Sequence, residues 1–115
     1  MTKEQIIQSI NSYVDQIIEE YKFKQFSRYV KSKKVEFEES CLIVELRDPL
    51  IYGRTKSRWE QKIYVRTYKH RKQKEMRCSC PDFRHRLEGD QVPCKHLFAL
   101  IGRYQSKRSE LIKQL

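Results

Sequence analysis

Two short stretches in the second half of the chain could together bind a metal ion. Residues 78–80 read CSC, and residues 94–96 read CKH. Three thiolate sulfurs and one imidazole nitrogen form a tetrahedral set that suits zinc. Because the protein then fills all four coordination positions, no place remains for a reactive water. The pattern therefore predicts one structural zinc ion, bound by Cys78, Cys80, Cys94 and His96.

The spacing within each pair predicts the element that carries it. Side chains two residues apart in an extended strand point to the same side, so Cys78 and Cys80 can direct both sulfurs at one ion. On a helix the same spacing is a rotation of about 200°. Pro93 favours a helix boundary, so we predict Cys94 before or at a helix start, with His96 in the first turn. The polar segment 81–93, with its Gly-Asp turn signal, must return the chain.

This region has two alternative interpretations: a different fourth ligand and a catalytic Cys/His pair. His85, five residues after Cys80, could replace His96 as the fourth ligand, although its position between two arginines fits an exposed loop better. Cys94 and His96 could instead be a nucleophile and its base, but side chains two apart at a helix start diverge, and no third orienting group is evident. With three glycines in the whole chain, a phosphate-binding P-loop is excluded. We therefore expect no enzymatic activity.

Hydrophobic periodicity predicts helices at both ends of the chain. Residues 5–21 have the spacing of an amphipathic helix whose apolar side is either core or a partner surface. Residues 22–34 extend it or form a second helix, and their apolar side chains are expected to pack inward: Phe23, Phe26, Tyr29 and Val30. Residues 97–115 predict a C-terminal helix, with a possible break between Ser106 and Ser109.

The middle of the chain has strand signals. Residues 35–46 predict a strand pair with a turn near Glu39 and Ser40, and Cys41 within it is expected to be a buried thiol. Residues 53–58, GRTKSR, have the composition of a mobile basic loop. Residues 59–68 predict a strand, which KHRKQKE at 69–75 turns back into a basic hairpin.

Charge favours a polyanionic partner. The chain has 25 Lys and Arg against 15 Asp and Glu, a net charge of +10. In segment 54–77 the basic residues alternate with the aromatic residues Trp59, Tyr64 and Tyr68. This mixture is typical of nucleic-acid-binding surfaces that contact phosphates and stack on bases. Trp59 fits a core position equally well. The candidate phosphate contacts are Arg54, Lys56, Arg58, Lys62, Arg66, Lys69, Arg71, Lys72, Lys74 and Arg77.

The motifs CSCPDF and PCKHLFAL resemble the SWIM-type zinc finger, in which CxC, a variable spacer and CxH lie on a β-hairpin and a following helix. The resemblance covers about residues 59–104 and implies the same four ligands. Modules of this family bind DNA or protein. The short form of this chain resembles small archaeal relatives and recombination mediators, which implies a recombinase-like protein partner.

Together these features predict an α+β fold: an N-terminal amphipathic helix, a small antiparallel sheet of hairpins, and a zinc-bound ββα module that ends in a C-terminal helix. We expect one domain, 1–115. Within it, residues 1–58 hold the first helix, strand pair and basic loop, 59–104 the SWIM-type module, and 105–115 the end of the last helix.

Two functions are compatible with these predictions. The first is a non-enzymatic structural zinc protein that contacts nucleic acid, DNA more than RNA, through the basic hairpin. The alternative is an adaptor in a DNA recombination or repair complex, which docks a recombinase-like partner through its apolar helices. No stretch approaches the roughly 20 apolar residues of a membrane helix, and the N-terminus lacks a signal peptide pattern, so we expect an intracellular protein with no membrane partner.

Overall fold

The computed structural model describes residues 3–35, 43–45, 50–55, 58–68 and 71–114. Two helices precede the described strands and a third follows them, with a short π-helical turn between, which confirms the predicted α+β class. The elements are α1 (Lys3–Lys24), α2 (Phe26–Ser32), β1 (Ile43–Glu45), β2 (Leu50–Thr55), β3 (Trp59–Tyr68), β4 (Arg71–Cys78), the π-helical turn (Phe83–Leu87) and α3 (Lys95–Gln114).

The described strands form one antiparallel sheet in the order β1-β2-β3-β4. In its register Ile51 lies opposite Ile63, and Ile63 lies opposite Met76. All three side chains are buried, whereas alternate residues in β2 and β3 are partly or fully exposed. The sheet therefore has an inner face that belongs to the core and an outer face that is accessible to solvent. The predicted strand 59–68 is β3, residue for residue.

The apolar sides of α1 and α3 close the core against the inner face. The buried residues of both helices belong to the same cluster as those of the sheet, and they include Ile10, Val14, Ile17, Leu97, Leu100 and Ile101. The Tyr104 hydroxyl also donates a 2.7 Å hydrogen bond to Asn11 Oδ1. The described residues of the α1 stripe are thus core, the first of its two predicted uses, and those of α3 join the same core. Helix α3 is continuous through Ser106 and Ser109, so the possible break is absent there.

The prediction that all four apolar residues of segment 22–34 pack inward is wrong for three of them. Phe23, Phe26 and Val30 are 79%, 58% and 46% exposed. Tyr29 does pack, with its ring 5.6 Å from that of Phe98 in an edge-on arrangement. The helical path is interrupted at Gln25 (φ −118°, ψ 43°), so the apolar phase of α1 does not continue into α2.

Two loop predictions need correction. Residues 53–55 are not loop but the end of β2, because Gly53 and Thr55 pair with Gln61 and Trp59. The predicted turn 69–75 is shorter, since β4 begins at Arg71 and pairs with β3 along its whole length; the hairpin itself is confirmed.

Other predictions lie outside the described residues. They are the strand and turn over 36–42 with Cys41, and the structure around Lys56 and Lys69. Of the predicted strand pair 35–46, residues Ile43–Glu45 form β1, which pairs with β2.

Candidate metal centre

The four predicted ligands converge on one point. Their ligand atoms lie within 4.8 Å of one another, and all four side chains are buried. The Nδ1 atom of His96 lies 3.8 Å from Cys78 Sγ and 3.9 Å from Cys94 Sγ. Tetrahedral zinc, with Zn–S near 2.3 Å and Zn–N near 2.0–2.1 Å, separates sulfur from nitrogen by about 3.6 Å. The cluster thus has the dimensions and donor atoms of a zinc site, and one structural zinc ion fits it.

Each ligand pair lies at an element boundary, as its spacing predicts. Cys78 is the last residue of β4, and Cys80 follows it by two residues. Cys94 immediately precedes α3, and its carbonyl accepts a 3.0 Å hydrogen bond from the Phe98 N–H. His96 lies in the first turn of that helix, so its imidazole can approach the sulfurs from the helix side.

Ser79, the middle residue of CSC, holds this segment against the start of β3. Its N–H donates to the Glu60 carbonyl at 3.0 Å, and its Oγ accepts from the Glu60 N–H at 2.9 Å. This reciprocal pair extends the β3–β4 contact by one residue beyond the strand. It fixes the backbone between the two sulfurs, a role that the sequence did not predict because any residue fits the middle of CxC.

Gln61 is a buried polar residue beside the cluster, 0% exposed. Its Nε2 donates to Cys78 Sγ at 3.5 Å, and its Oε1 accepts from the Thr55 hydroxyl at 3.4 Å. Donors to metal-bound sulfur offset the negative charge of the thiolate and orient the ligand. Sequence reasoning missed this residue; the available signal was its alternation in β3 with core residues, at the position opposite Cys78.

The segment between the ligand pairs is an ordered part of the core. The π-helical turn buries Phe83 and Leu87, which are 1% and 5% exposed. Gln91, with a φ of 54°, ties the segment to β4: its Oε1 accepts from the Met76 N–H at 2.6 Å and its Nε2 donates to the Met76 carbonyl at 3.2 Å. The predicted return turn is present at residues 88–91, but the helical turn before it was not predicted.

A two-hydrogen-bond ion pair joins α2 to this segment. Arg28 Nε and Nη2 donate to the two carboxylate oxygens of Asp82 at 2.8 and 3.0 Å. The hydrogen bond from Arg28 lowers the pKa of Asp82. The pKa of Arg28 is raised, first by Asp82 and further by the nearby sulfurs of Cys94 and Cys80. Arg28 is therefore a cation that the fold brings close to the thiolates from a helix remote in sequence.

The ionisation of the three thiols differs strongly within the cluster. Hydrogen bonds from Cys78 and Cys94 hold the pKa of Cys80 far below its usual value. The same hydrogen bond with Cys80 raises the pKa of Cys78 to about 11, and burial raises the pKa of Cys94. Three thiolates in this buried space require a cation, which agrees with a metal-binding role.

The two alternative assignments do not fit this geometry. His85 is exposed on the π-helical turn and is not part of the described metal-ligand cluster. Cys94 and His96 face two further cysteines rather than an open cleft. A closed four-ligand site is the arrangement of a structural metal centre.

The predicted phosphate contacts separate into several locations. Arg54, Lys62 and Arg77 lie on the outer face of the sheet, where Lys62 and Arg77 are register partners. Arg58 lies in the turn before β3, with its guanidinium 4.9 Å from the centre of the Trp59 ring, which itself packs against the core. Lys74 extends over Tyr13 of α1, 5.5 Å from its ring centre. The remaining candidates have side chains outside the described set: Lys56, Arg66, Lys69, Arg71 and Lys72.

A small α+β chain with a closed site of three cysteines and one histidine is a zinc-binding module. Residues 70–105 match the family model of the SWIM zinc finger, which confirms the resemblance of the motifs over this part of the chain. No curated protein and no solved structure matched the chain. Among the described residues, no helix is both long and apolar enough to span a membrane.

Proposed function

We propose that this protein is a non-enzymatic zinc-binding module that contacts nucleic acid, DNA in preference to RNA, through the outer face of its sheet. The observation that carries the proposal is a row across three strands: Tyr52, Lys62 and Arg77 are paired in register on β2, β3 and β4. The helices cover the opposite face, so the row is accessible. It places two cations beside an aromatic ring, the combination that serves phosphate contact and base stacking.

Neighbouring residues extend the row and leave it accessible. Tyr64 and Arg54 are half-buried residues of the same face. Glu75 forms a 3.1 Å ion pair with Arg77, whose side chain remains 61% exposed. Exposed ion pairs of this kind contribute only about 0–1 kcal/mol. Arg77 can therefore exchange its carboxylate partner for a phosphate at little cost.

An open cavity of about 350 Å³ lies beside the row, between the strand ends and the π-helical turn. Three cations line it, Lys62, Arg77 and Arg84, together with Glu60 and Glu88. Its volume lies at the lower end of the range of small-ligand sites, roughly 300–1,000 Å³. A single nucleotide unit is of suitable size, with its phosphate near the cations and base N–H groups near the carboxylates.

Zinc contributes to this surface by fixing the end of β4. Because successive side chains in a strand alternate, Cys78 points to the metal cluster while Arg77 points to the outer face. The metal thereby holds the strand that presents Arg77, although it does not contact the nucleic acid. A recombinase-like protein partner remains a second prediction. The apolar side chains of α1 and α3 that belong to the core cluster are buried, so these residues are not its docking surface.

The test is a salt titration of binding to labelled single-stranded DNA, duplex DNA and RNA by the zinc-loaded protein. The double variant Lys62→Ala, Arg77→Ala removes the two cations of the row. The matched control, Lys107→Ala with Lys113→Ala, removes the same charge from exposed positions of α3. We expect the row variant to lower the slope of log K against log salt by about 1.8 for duplex and about 1.4 for single strands, at two contacts of about 0.9 or 0.7 each.

Three results would contradict the proposal. No detectable binding at low salt would remove nucleic acid as a partner. Equal losses in the row variant and the α3 control would indicate attraction by net charge alone, without a surface on the sheet. Tighter binding of RNA than of DNA would reverse the proposed preference.

A further inference from the structure

Three exposed apolar side chains lie close in sequence where α1 ends and α2 begins. Phe23, Phe26 and Val30 are the exposed large hydrophobic residues of the part of the chain whose side chains are described. We refer to these three residues as the junction patch. Single exposed apolar residues are common on protein surfaces and need no explanation, but here they all fall within residues 23–30.

The junction patch is separate from the side of α2 that packs on the protein. That side is occupied by Arg28, which binds Asp82, and by Tyr29, which contacts Phe98. Phe26 and Val30 are four residues apart in α2, so they share its other side, whereas Phe23 lies in the last turn of α1. The junction patch thus combines the last turn of α1 with one side of α2, on either side of the interruption at Gln25.

Positive charge surrounds the junction patch. Residues 22–34 contain no acidic residue and, besides the paired Arg28, five lysines: Lys22, Lys24, Lys31, Lys33 and Lys34. The Lys22 ammonium lies 6.0 Å from the centre of the Phe23 ring and 5.2 Å from that of Tyr29; the Lys33 ammonium lies 4.6 Å from the Tyr29 ring. A complementary surface is therefore apolar at its centre and acidic at its rim.

We propose that the junction patch binds an acidic amphipathic segment of a partner protein, with Leu, Ile or Phe side chains on the patch and Asp or Glu opposite the lysines. This inference does not depend on the nucleic-acid proposal, because the two surfaces lie on different elements and carry different residues. The hydrophobic contact supplies affinity, and the charges supply selectivity and salt dependence.

Other occupants agree less well with the same residues. A symmetric contact between two copies would place like-charged lysines against each other. A nucleic-acid strand could stack on a phenylalanine, but Val30 has no ring, and Lys22 already lies over the Phe23 ring. A lipid surface binds helices with a long apolar side, whereas α2 has seven residues.

The test uses the zinc-loaded full chain as bait for a random peptide library. We expect selected peptides to combine acidic residues with Leu, Ile or Phe. Affinity for a synthetic copy of a selected peptide should fall at least about tenfold in the double variant Phe23→Ala, Phe26→Ala. Lys31→Glu with Lys33→Glu should also weaken it. The control Lys62→Ala, Arg77→Ala on the sheet should leave it unchanged.

Because the two phenylalanines are exposed, their double variant should retain its zinc content and its urea midpoint, so a loss of binding reports on the surface. The proposal is overturned if no peptide class is enriched over bare matrix, or if selected peptides bind the double variant equally well. It is also overturned if the same variant instead loses binding to a thymidine oligonucleotide or to phosphatidylserine vesicles, or loses a dimer seen by sedimentation.

Discussion

Truncation of Phe83 tests whether the segment between the ligand pairs is truly core. Phe83 is 1% exposed, and Phe→Ala changes at such positions reduce the free energy of unfolding by about 3–5 kcal/mol. Phe26 undergoes the same chemical change at a site that is 58% exposed, where an effect within about 0.5 kcal/mol is expected. The backbone N–H of Phe83, whose hydrogen bond helps to lower the pKa of Cys80, survives in the alanine variant. We therefore expect Phe83→Ala to keep one zinc per chain.

Urea unfolding of both zinc-loaded variants, followed by the fluorescence of Trp59, the single tryptophan, measures the difference. For an m-value of about 2 kcal/mol/M, a loss of about 4 kcal/mol lowers the midpoint by roughly 2 M for Phe83→Ala. Phe26→Ala should leave the midpoint within about 0.3 M of the parent protein. Similar midpoints for the two variants would refute the buried placement of the π-helical turn.

Three further predictions follow from the site and its surroundings. Replacing Gln61 by Met removes the hydrogen-bond donor to Cys78 and keeps a similar side-chain volume. We therefore expect zinc affinity, measured by competition with a chelator, to fall by about 10- to 100-fold. An unchanged affinity would mean that the 3.5 Å contact has no influence. His96→Ala should abolish stoichiometric zinc and, with it, folding of the module, whereas His85→Ala should retain one zinc per chain by metal analysis; the opposite pattern would transfer the ligand to His85. Burial raises the pKa of Tyr13 to about 12 from its ordinary value of 10.0. The stability that the protonated Tyr13 hydroxyl contributes is therefore fully present below the unfolded pKa and is lost as the pH rises towards 12. The free energy of unfolding should thus fall by about 1.4 kcal/mol per pH unit in that window, more than in Tyr13→Phe; identical alkaline profiles would contradict this.

The metal ligands were predictable because their constraint is local. Two cysteines at a strand end and a Cys/His pair at a helix start can be deduced from the geometry of each element, and Pro93 marks the boundary between loop and helix. The strand β3 was predictable for the same reason, since its aromatic and β-branched residues need no knowledge of their partners.

The surroundings of the site depend on contacts between residues that are distant in sequence, and such contacts cannot be deduced from a single sequence. Arg28 and Asp82 are 54 positions apart, and neither has a feature that marks it as half of an ion pair. Gln61 reads as an ordinary polar residue in a strand until its register with Cys78 is known. In segment 22–34 the apolar spacing was evident, but whether it faces core or solvent depends on the interruption at Gln25.

The pairing of α1 with α3 has a consequence for how the protein assembles. The hydrogen bond from Tyr104 to Asn11 spans 93 positions, and that from Gln105 to Asp15 spans 90. The β3–β4 hairpin and the two ligand pairs close much shorter loops, which cost less chain entropy. We expect the hairpin and zinc module to form early and α1 to dock late, in a folding reaction slowed by this long closure. During synthesis α1 leaves the ribosome well before α3, so its apolar stripe must stay soluble until the rest of the core exists.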